Sequence, residues 1–570
     1  MKFSFDFSQL TNTPFDETDF FFVCFDKQKK MKSYKIEGVD SFECYLSPEI
    51  LILTSHIESD EKDKIFSDEN NVGLFIGYEL DQTIHSYTSC EKKKNLFYDE
   101  KLINGVFTYI HFDKQRKSIS IKTDPFGISP VYFRELNNLI LFSSHPSLIS
   151  IFSDEPDFYS WLSLIMNGFI CGNRSFFRDI RRLETGMKVN VSEDTLQLSR
   201  WFDLRSLPEG NQSIDANAFQ LVEKACQQSI DKCLLLEHDN VILPYSSGYD
   251  SRRFLASFLD RGISFTTLTC QSYHEKDGQF FDIDAVFAPP HAKKMGAENT
   301  ILSAYLGGQL KNSLTHRRHL IGSESFMHGW AMPMMEYLRA QPPSLIFDGL
   351  AGDAIGNGGW EYDGLHDDAT NDKEIVLAQL VDKRVFSNLS FIFPSHDDFR
   401  EEIARELLTY PNNLNGIELA FLLLRTRRAI SPMATMMTPK GHVLVYPYLD
   451  LNFVKTCLAY SPKEKLSCFF QKICLQKFWP SYYHSYGTRN LPEGYEPLKK
   501  SKVKKRCREV KKERLNNYRA IIGVLKYLNF KNKVLFLFLW PLFGHRDWLY
   551  GKLLELEKFN LEKIIVLKKE

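Results

Sequence analysis

The chain has 570 residues, a length that accommodates two to four domains with full cores. A hydrophobic fraction of 43% and a charged fraction of 25% are ordinary for a globular protein, and a net charge of −1 gives no general case for a nucleic-acid partner. The 11 cysteines form no CxxC pairs, and their odd number argues against a disulfide framework. We see neither a signal peptide nor an apolar stretch long enough to span a membrane, so the sequence predicts a cytoplasmic protein.

The first 150 residues have the pattern of a mostly β domain. Short runs rich in aromatic and β-branched residues alternate with polar turns, as in antiparallel sheets. They predict a two-sheet sandwich with strands at Phe20–Phe25, Tyr34–Ile36, Gly73–Tyr78, Val106–Phe112, Ser118–Lys122, Val131–Phe133 and Leu139–Ser143.

From residue 211 the pattern changes to alternating helices and strands. Helices are predicted at Asn211–Leu236 and Asp282–Gly296, and strands at Val241–Leu243, Phe265–Cys270, Thr300–Leu302 and Ser344–Phe347. This alternation predicts a parallel sheet with helices on both faces and a ligand site at the carboxyl ends of its strands. The fold class is therefore mixed, with an α+β and an α/β part.

A turn of small polar residues follows the strand Val241–Leu243, and helical spacing begins at Arg252. A strand that enters such a turn before a helix directs free N–H groups and the helix dipole toward one point, which suits a phosphate. The alternative is a helix cap that binds nothing. A second turn, Asp348–Gly359, is rich in glycine, and on its own it indicates only a tight loop.

The first turn resembles the pyrophosphate loop of the asparagine synthetase family, which includes β-lactam synthetase-like proteins. The family pattern is Ser-Gly-Gly-x-Asp-Ser, and Ser247 here replaces the first glycine. Such relatives cleave ATP between the α- and β-phosphates. The resemblance implies an ATP-pyrophosphatase-type domain whose pyrophosphate-binding residues are Ser246, Ser247, Gly248, Asp250, Ser251 and Gly349.

The second turn resembles the family motif Ser-Gly-Asp/Glu-Gly-x-Asp-Glu. By position, Asp353 and Asp250 match the family's magnesium-binding aspartates, which implies Mg²⁺ beside ATP. Leu350 and Ala354 replace the family's acidic residues. If the acidic residue that Leu350 replaces places the incoming amine, Leu350 argues against asparagine as the product. Adenylation needs only the phosphate loop, the metal and a positive group, so its chemistry stays in place.

Two further segments resemble the same family. Tyr446–Asp450 is similar to its Pro-Phe-Leu-Asp motif, and Gln471–Leu475 is similar to a helix start that contains a lysine. The resemblance implies a catalytic role for Lys472, which would stabilise negative charge during adenylation. The alternative for Lys472 is a solvated helix lysine. Arg252 stands where the family has a small residue. Its side chain either contacts a phosphate of the ligand or has no role in binding.

The N-terminal part resembles the second half of the family's glutaminase domain. The ordered segments are Asn104–Phe107, Asp124–Phe133, Phe142–His145 and Phe176–Gly186. They imply an Ntn-hydrolase-like sandwich, whose chemistry requires a cysteine at the mature N-terminus. Lys2 stands at position 2, and Cys24 lies inside an apolar run, so we expect no glutaminase activity.

The last segment is outside the resemblance, which ends near Lys472. Lys499–Arg514 has ten basic residues and two glutamates, and Val534–Phe543 is apolar and aromatic. This pair predicts either contact with the anionic inner face of a membrane or a solvated basic helix followed by a buried one.

Together these features predict a degenerate glutaminase-like domain at 1–200, an ATP-binding synthetase domain at 211–490 and an extension at 491–570. The expected function is an ATP-dependent carbon–nitrogen ligase that adenylates a carboxylate for attack by ammonia or another amine. The expected partners are a small-molecule, sugar or peptide carboxylate and an amine, with no nucleic acid. The competing hypothesis is a nucleotide-binding regulatory or scaffold protein.

Overall fold

The structure is a computed structural model. It describes residues 3–11, 14–56, 63–93, 104–151, 157, 159–160, 163, 169–246, 248–271, 274–276, 279–304, 331–356, 396–408, 410, 415–468, 470–483 and 566–569. Ser247 and the two tail segments, Lys499–Arg514 and Val534–Phe543, lie outside these residues. Across the described ranges, no helix combines the length and apolarity that a bilayer crossing requires.

The N-terminal part is a sandwich of two antiparallel sheets. The first sheet contains β2 (Phe21–Asp26), β4 (Phe42–Leu46), β5 (Ile50–Ser55), β11 (Tyr132–Leu136), β12 (Leu139–Ser143) and β13 (Arg181–Arg182). The second contains β6 (Ile65–Ser67), β7 (Asn71–Glu79), β8 (Ile84–His85), β9 (Gly105–Asp113), β10 (Ser118–Thr123), β14 (Met187–Val191) and β15 (Leu196–Arg200). All seven predicted strands are confirmed except that Tyr34–Ile36 lies in a separate sheet.

Strand β2 shows why both faces of the first sheet are apolar. Phe21, Val23 and Phe25 pack toward the second sheet, whereas Phe22 and Cys24 pack on the opposite face. Alternate residues of a strand point to opposite faces, so a strand without polar residues needs cover on both sides. The rest of the chain supplies that cover.

A small separate sheet joins distant parts of the chain. Its central strand is β1 (Phe3–Asp6), which pairs in parallel with β3 (Lys35–Glu37) and antiparallel with β23 (Leu567–Lys569). Phe5 and Leu567 are fully buried. Lys568 also forms an ion pair with Asp6 at 2.6 Å.

The second part contains the predicted parallel sheet, which has the four predicted strands and a fifth, Val443–Val445, that was not predicted. Its strands are β16 (Asn240–Pro244), β17 (Thr266–Cys270), β20 (Asn299–Leu302), β21 (Ser344–Phe347) and β22 (Val443–Val445), in the order β20-β17-β16-β21-β22. A short hairpin of β18 (His274–Lys276) and β19 (Gln279–Phe281) interrupts the chain between them. The order changes direction between β16 and β21, and their carboxyl ends form the crevice where such sheets bind ligands.

Helices surround this sheet. The helices are α1 (Ala216–Leu234), α2 (Tyr249–Asp260), α3 (Ile283–Lys294), α4 (Met332–Arg339), α5 (Gly352–Gly356), α6 (His396–Leu407), α7 (Gly416–Ala420), α8 (Arg427–Ser431), α9 (Leu451–Leu458), α10 (Pro462–Cys468) and α11 (Phe470–Phe478). Two π-helical stretches, Phe421–Thr426 and Pro432–Met437, extend α7 and α8 into one helix. We call residues 416–437 the bridging helix.

The bridging helix connects the parallel sheet to the sandwich. Arg428 donates to the carbonyls of Gly172 and Arg174 at 2.5 and 2.8 Å. In the opposite direction, Arg182 of β13 donates to Ser431 Oγ at 2.6 Å. Both arginines are buried, so these bonds form in an interior where an unpaired donor is costly.

Candidate functional site

The turn after β16 forms the first wall of the site. The main-chain N–H of Gly248 donates to Ser246 Oγ at 3.1 Å, and the hydroxyls of Ser246 and Ser251 lie 3.3 Å apart. Gly248 is the N-cap of α2 and has φ −70°, an angle that any residue adopts. The turn therefore needs small residues for space rather than for unusual backbone angles. Helix α2 begins at Tyr249, so its free N–H groups face this turn.

The turn after β21 forms the second wall and contacts the first closely. A Cβ on Gly349 would lie 3.1 Å from Asp250 Cβ, and a Cβ on Gly352 would lie 2.2 Å from Asp250 Oδ1. A distance of 2.2 Å excludes a side chain at position 352. The structure thus brings Asp250, Gly349 and Asp353 together, although they are separated by about a hundred residues in the chain.

Backbone strain is present in the second wall. Ala351 has φ 77°, in the left-handed region where a Cβ is unfavourable, and its side chain is fully buried. Such strain tends to occur at functional turns. Leu350 packs partly buried against the core and Ala354 is buried, so neither offers a polar group to the crevice.

Burial disfavours the ionised form of two carboxyl groups in these walls. Burial raises the pKa of the Asp250 carboxyl to about 8, and the Asp353 carboxylate raises it as well, against the opposing effect of Arg253. Burial also raises the pKa of Asp348 to about 6. Among the residues that the structure describes, Asp250 Oδ1 and Asp348 Oδ2 are buried oxygens without a hydrogen-bond partner. Carboxylates in this condition favour a cation.

A magnesium ion fits this donor set. Mg²⁺ is usually held by one or two carboxylates together with substrate phosphates and water, rather than by protein groups alone. Asp250 and Asp353 provide two carboxylates beside a phosphate-type turn. In the described ranges, no group of three or more His, Cys, Asp or Glu side chains is arranged to hold a metal ion. The remaining ligands would therefore come from phosphate oxygens and water.

The segment Tyr446–Asp450 packs against α2, which begins at the first wall of the site. Tyr448 donates its hydroxyl to the carbonyl of Asp250 at 3.1 Å and stacks on Phe254 with 4.8 Å between ring centroids. Asp450 caps α9 by accepting from the N–H of Phe453 at 3.0 Å. The sequence motif thus positions Asp250 without entering the crevice.

Helix α11 reaches the second wall through Gln471. The Gln471 side chain is 1% exposed, and its Nε2 donates to the carbonyl of Gly352 at 2.6 Å. Lys472 follows it in the chain and is half-buried. The structure therefore assigns direct contact with the wall to Gln471, and the catalytic role of Lys472 stays a prediction.

Three arginines near the site have different surroundings. Arg252 lies buried over the rings of Phe287 and Tyr249, at 4.1 and 5.0 Å from their centroids. Arg253 forms a buried ion pair with Glu223 at 2.8 Å. Sequence reasoning missed the third, Arg425, which lies on the bridging helix and interacts electrostatically with Asp353. Arg425 lies in the π-helical stretch Phe421–Thr426, and no sequence period signals such a stretch.

Cys24 is unsuited to nucleophilic chemistry. It is fully buried in β2, and burial raises the pKa of its thiol well above the ordinary value. A thiol must ionise and meet its substrate to act as a nucleophile. The expectation that Cys24 is a core residue is confirmed.

Comparisons with known proteins agree with the motifs. The glutamine amidotransferase domain family matches residues 99–202. "Asparagine synthetase [glutamine-hydrolyzing] 2" of Bacillus subtilis (strain 168) is 24% identical over 35% of this chain, and the match spans only 30% of that relative.

Two solved structures also match at low similarity. One is the allosteric regulatory enzyme of purine biosynthesis, with a TM-score of 0.22, 10% identity, and coverage of 56% of this chain and 76% of that one. The other is the glutamine phosphoribosylpyrophosphate amidotransferase of B. subtilis complexed with ADP and GMP, with a TM-score of 0.21, 10% identity, and coverage of 66% and 77%. TM-scores at this level do not establish a shared fold. The family match and the curated relative show that the chain is similar to glutamine amidotransferase domains over residues 99–202 and, at 24% identity, to an asparagine synthetase.

Proposed function

We propose that the chain is an ATP-dependent amide-forming ligase that adenylates a carboxylate and transfers the acyl group to an amine. The observation that carries the proposal is the close approach of the two turns, where Gly352 gives room to Asp250 Oδ1. This contact places two carboxylates beside the N-terminus of α2, at the crevice of a parallel sheet. The predicted boundaries of the two main domains, 1–200 and 211–490, belong to the same proposal.

In this proposal ATP is a substrate. The turn Ser246–Ser251 would bind its phosphates through N–H groups, and Asp250 and Asp353 would hold Mg²⁺, which would offset phosphate charge. A carboxylate oxygen attacks the α-phosphorus, the bond to the β-phosphate breaks, and pyrophosphate leaves. An amine then attacks the acyl carbon, AMP leaves with the bonding electrons, and the amine loses a proton. Lys472 stabilises negative charge in the first step.

The amine in the proposal is free ammonia or an amino group of a second substrate. Cys24 is the first cysteine of the chain, and its burial and raised pKa support the absence of glutaminase chemistry. Glutamate release from glutamine should stay at background in the full chain. Release that disappears in Cys24→Ala would contradict this part of the proposal.

Exchange of labelled pyrophosphate into ATP, with a panel of carboxylic acids, tests the first step. We expect exchange with at least one acid, and its loss in Asp353→Asn, because one of two metal carboxylates is removed. Asp260→Asn is the matched control, since Asp260 is exposed at the far end of α2. Equal exchange in Asp353→Asn and the wild type would refute the site.

A nucleotide-binding scaffold is the second candidate. Leu350 and Ala354 favour it, because neither supplies the polar group that an incoming amine needs. Calorimetric binding of ATP with magnesium, together with no exchange for any acid in the panel, would establish this alternative over the ligase.

A further inference from the structure

The bridging helix directs one arginine to the synthetase site. Arg425 lies in the π-helical stretch Phe421–Thr426, and this stretch packs against α5, which contains Asp353. A π-helical stretch rotates the following side chains relative to a regular helix, and such stretches are frequent at functional sites. Arg427 and Arg428, in contrast, donate to carbonyls of the sandwich. One helix therefore presents arginines to both parts of the chain.

An aromatic ring contacts the guanidinium of Arg425. Its side chain is half-buried and lies over the Phe421 ring, 4.9 Å from the centroid. Within the described residues, no hydrogen bond or ion pair holds it. A planar guanidinium that an aromatic ring keeps in one orientation is well suited to carboxylate or phosphate oxygens.

The position of Arg425 in the fold indicates where it would meet a ligand. The stretch Phe421–Thr426 packs against α5, which forms part of the second wall. Asp353 of α5 interacts electrostatically with Arg425, so the two side chains are near each other. A ligand that reaches Asp353 from the turn Ser246–Ser251 would bring an anionic oxygen near Arg425.

We propose that Arg425 is an anion-binding residue of this site, which receives phosphate or carboxylate oxygens of the ligand beside Asp353. This inference rests on the proposed function and adds a cation that the sequence motifs do not contain. The competing role for Arg425 is simple neutralisation of Asp353. The two roles predict different effects when the charge of Arg425 is removed. Loss of a neutralising arginine should strengthen magnesium binding, whereas loss of a ligand-binding arginine should weaken binding of the anion.

The test uses the full chain and inorganic pyrophosphate as the probe. Calorimetry in saturating magnesium would compare the wild type with Arg425→Gln, which removes the charge, and Arg425→Lys, which keeps it. The matched control is Arg405→Gln, because Arg405 is exposed on α6 and pairs only weakly with Glu401, at 3.9 Å. We expect about tenfold weaker binding in Arg425→Gln, equivalent to about 1.4 kcal/mol, partial recovery in Arg425→Lys and no change in the control.

Two measurements separate the sources of the anion. Weaker pyrophosphate binding assigns Arg425 to phosphate, whereas unchanged pyrophosphate binding with a raised KM for the carboxylate in the exchange reaction assigns it to the carboxylate. Either result supports the anion position. No change in both refutes it, and so does tighter binding of magnesium alone without weaker anion binding. If the wild type neither binds pyrophosphate nor exchanges it, the proposed function itself fails, and this inference fails with it.

Discussion

Asn104 Nδ2 donates to Asp450 Oδ2 at 2.9 Å, which joins the sandwich to the cap of α9. The same side chain accepts from the N–H of Leu451 at 3.0 Å, so one amide supports a helix start 347 residues away. Lys232 also reaches Asp450 Oδ2, at 3.1 Å, and thereby balances its charge. The junction between the two parts is thus polar as well as apolar.

Asn104→Ala should lower the free energy of unfolding by about 1–3 kcal/mol, because it leaves the N–H of Leu451 unpaired and Asp450 with one donor fewer in a buried place. Urea denaturation of the full chain measures the change. Asn452→Ala, which alters an exposed residue of α9, is the control and should change stability by less than about 0.5 kcal/mol. Equal effects of the two substitutions would show that the contact is not stabilising.

Ala351→Gly should stabilise the protein by about 0.5–1 kcal/mol. The left-handed angle at Ala351 costs about 1–2 kcal/mol for a residue with a Cβ, and the greater freedom of glycine in the unfolded chain offsets part of the gain. Ala354→Gly, in α5, should instead destabilise by about 1 kcal/mol. Thermal unfolding of both variants provides the comparison, and changes of the same sign would be inconsistent with strain at Ala351.

Gly356→Ala should weaken magnesium-dependent ATP binding by displacing Gln471. The added Cβ would lie 2.1 Å from Gln471 Oε1, and moving the amide breaks its bond to the Gly352 carbonyl. Because that bond fixes the turn that contains Asp353, the geometry of the two carboxylates changes as well. Calorimetry with ATP, with and without magnesium, measures the effect.

A second substitution tests this mechanism. The collision in Gly356→Ala should also lower the free energy of unfolding. In the double variant Gly356→Ala with Gln471→Ala the collision is removed, so the free energy of unfolding should be higher than in Gly356→Ala alone. Gln476→Ala is the matched control, since Gln476 is exposed on the same helix. Recovery with Gln476→Ala in place of Gln471→Ala would exclude the collision as the cause.

In metal-free buffer, the free energy of unfolding should fall as pH rises from about 4 to about 8. The Asp250 carboxyl has a pKa of about 8 in the folded protein and roughly 4 in the unfolded chain. The folded state therefore binds more protons in this window, and stability decreases with pH. Asp250→Asn should flatten the profile relative to the wild type. A profile that Asp250→Asn leaves unchanged would mean that Asp250 is ionised in the folded state.

Local patterns predicted most of the sheet structure but not its long-range partners. Strand Leu139–Ser143 and strand Ser344–Phe347 are confirmed at their predicted bounds. Ile50–Ser55 was missed because a short apolar run without alternation does not distinguish a strand from a buried helix. The pairing of β1 with β23 joins residues more than 550 positions apart, which no local pattern contains.

The sequence motifs predicted the residues of the candidate site that lie in the two turns. They did not predict the residues that helix packing brings to these turns. Asp250, Gly349 and Asp353 follow neighbouring strands, so their convergence follows from the topology of a parallel sheet. Gln471 and Lys472 are adjacent, and only the packing of α11 decides which of them meets the wall. Arg425 lies in a π-helical stretch, and a single sequence has no periodic pattern that predicts such a stretch.

The arginines of the bridging helix bear on whether the two parts of the chain are separable. Arg428 uses carbonyls of Gly172 and Arg174 as its acceptors, and Ser431 accepts from Arg182. A fragment of residues 211–490 would expose Arg428 without those acceptors, on the same helix that presents Arg425 to the crevice. The sandwich therefore serves as a structural brace for the candidate site, whether or not it has chemistry of its own.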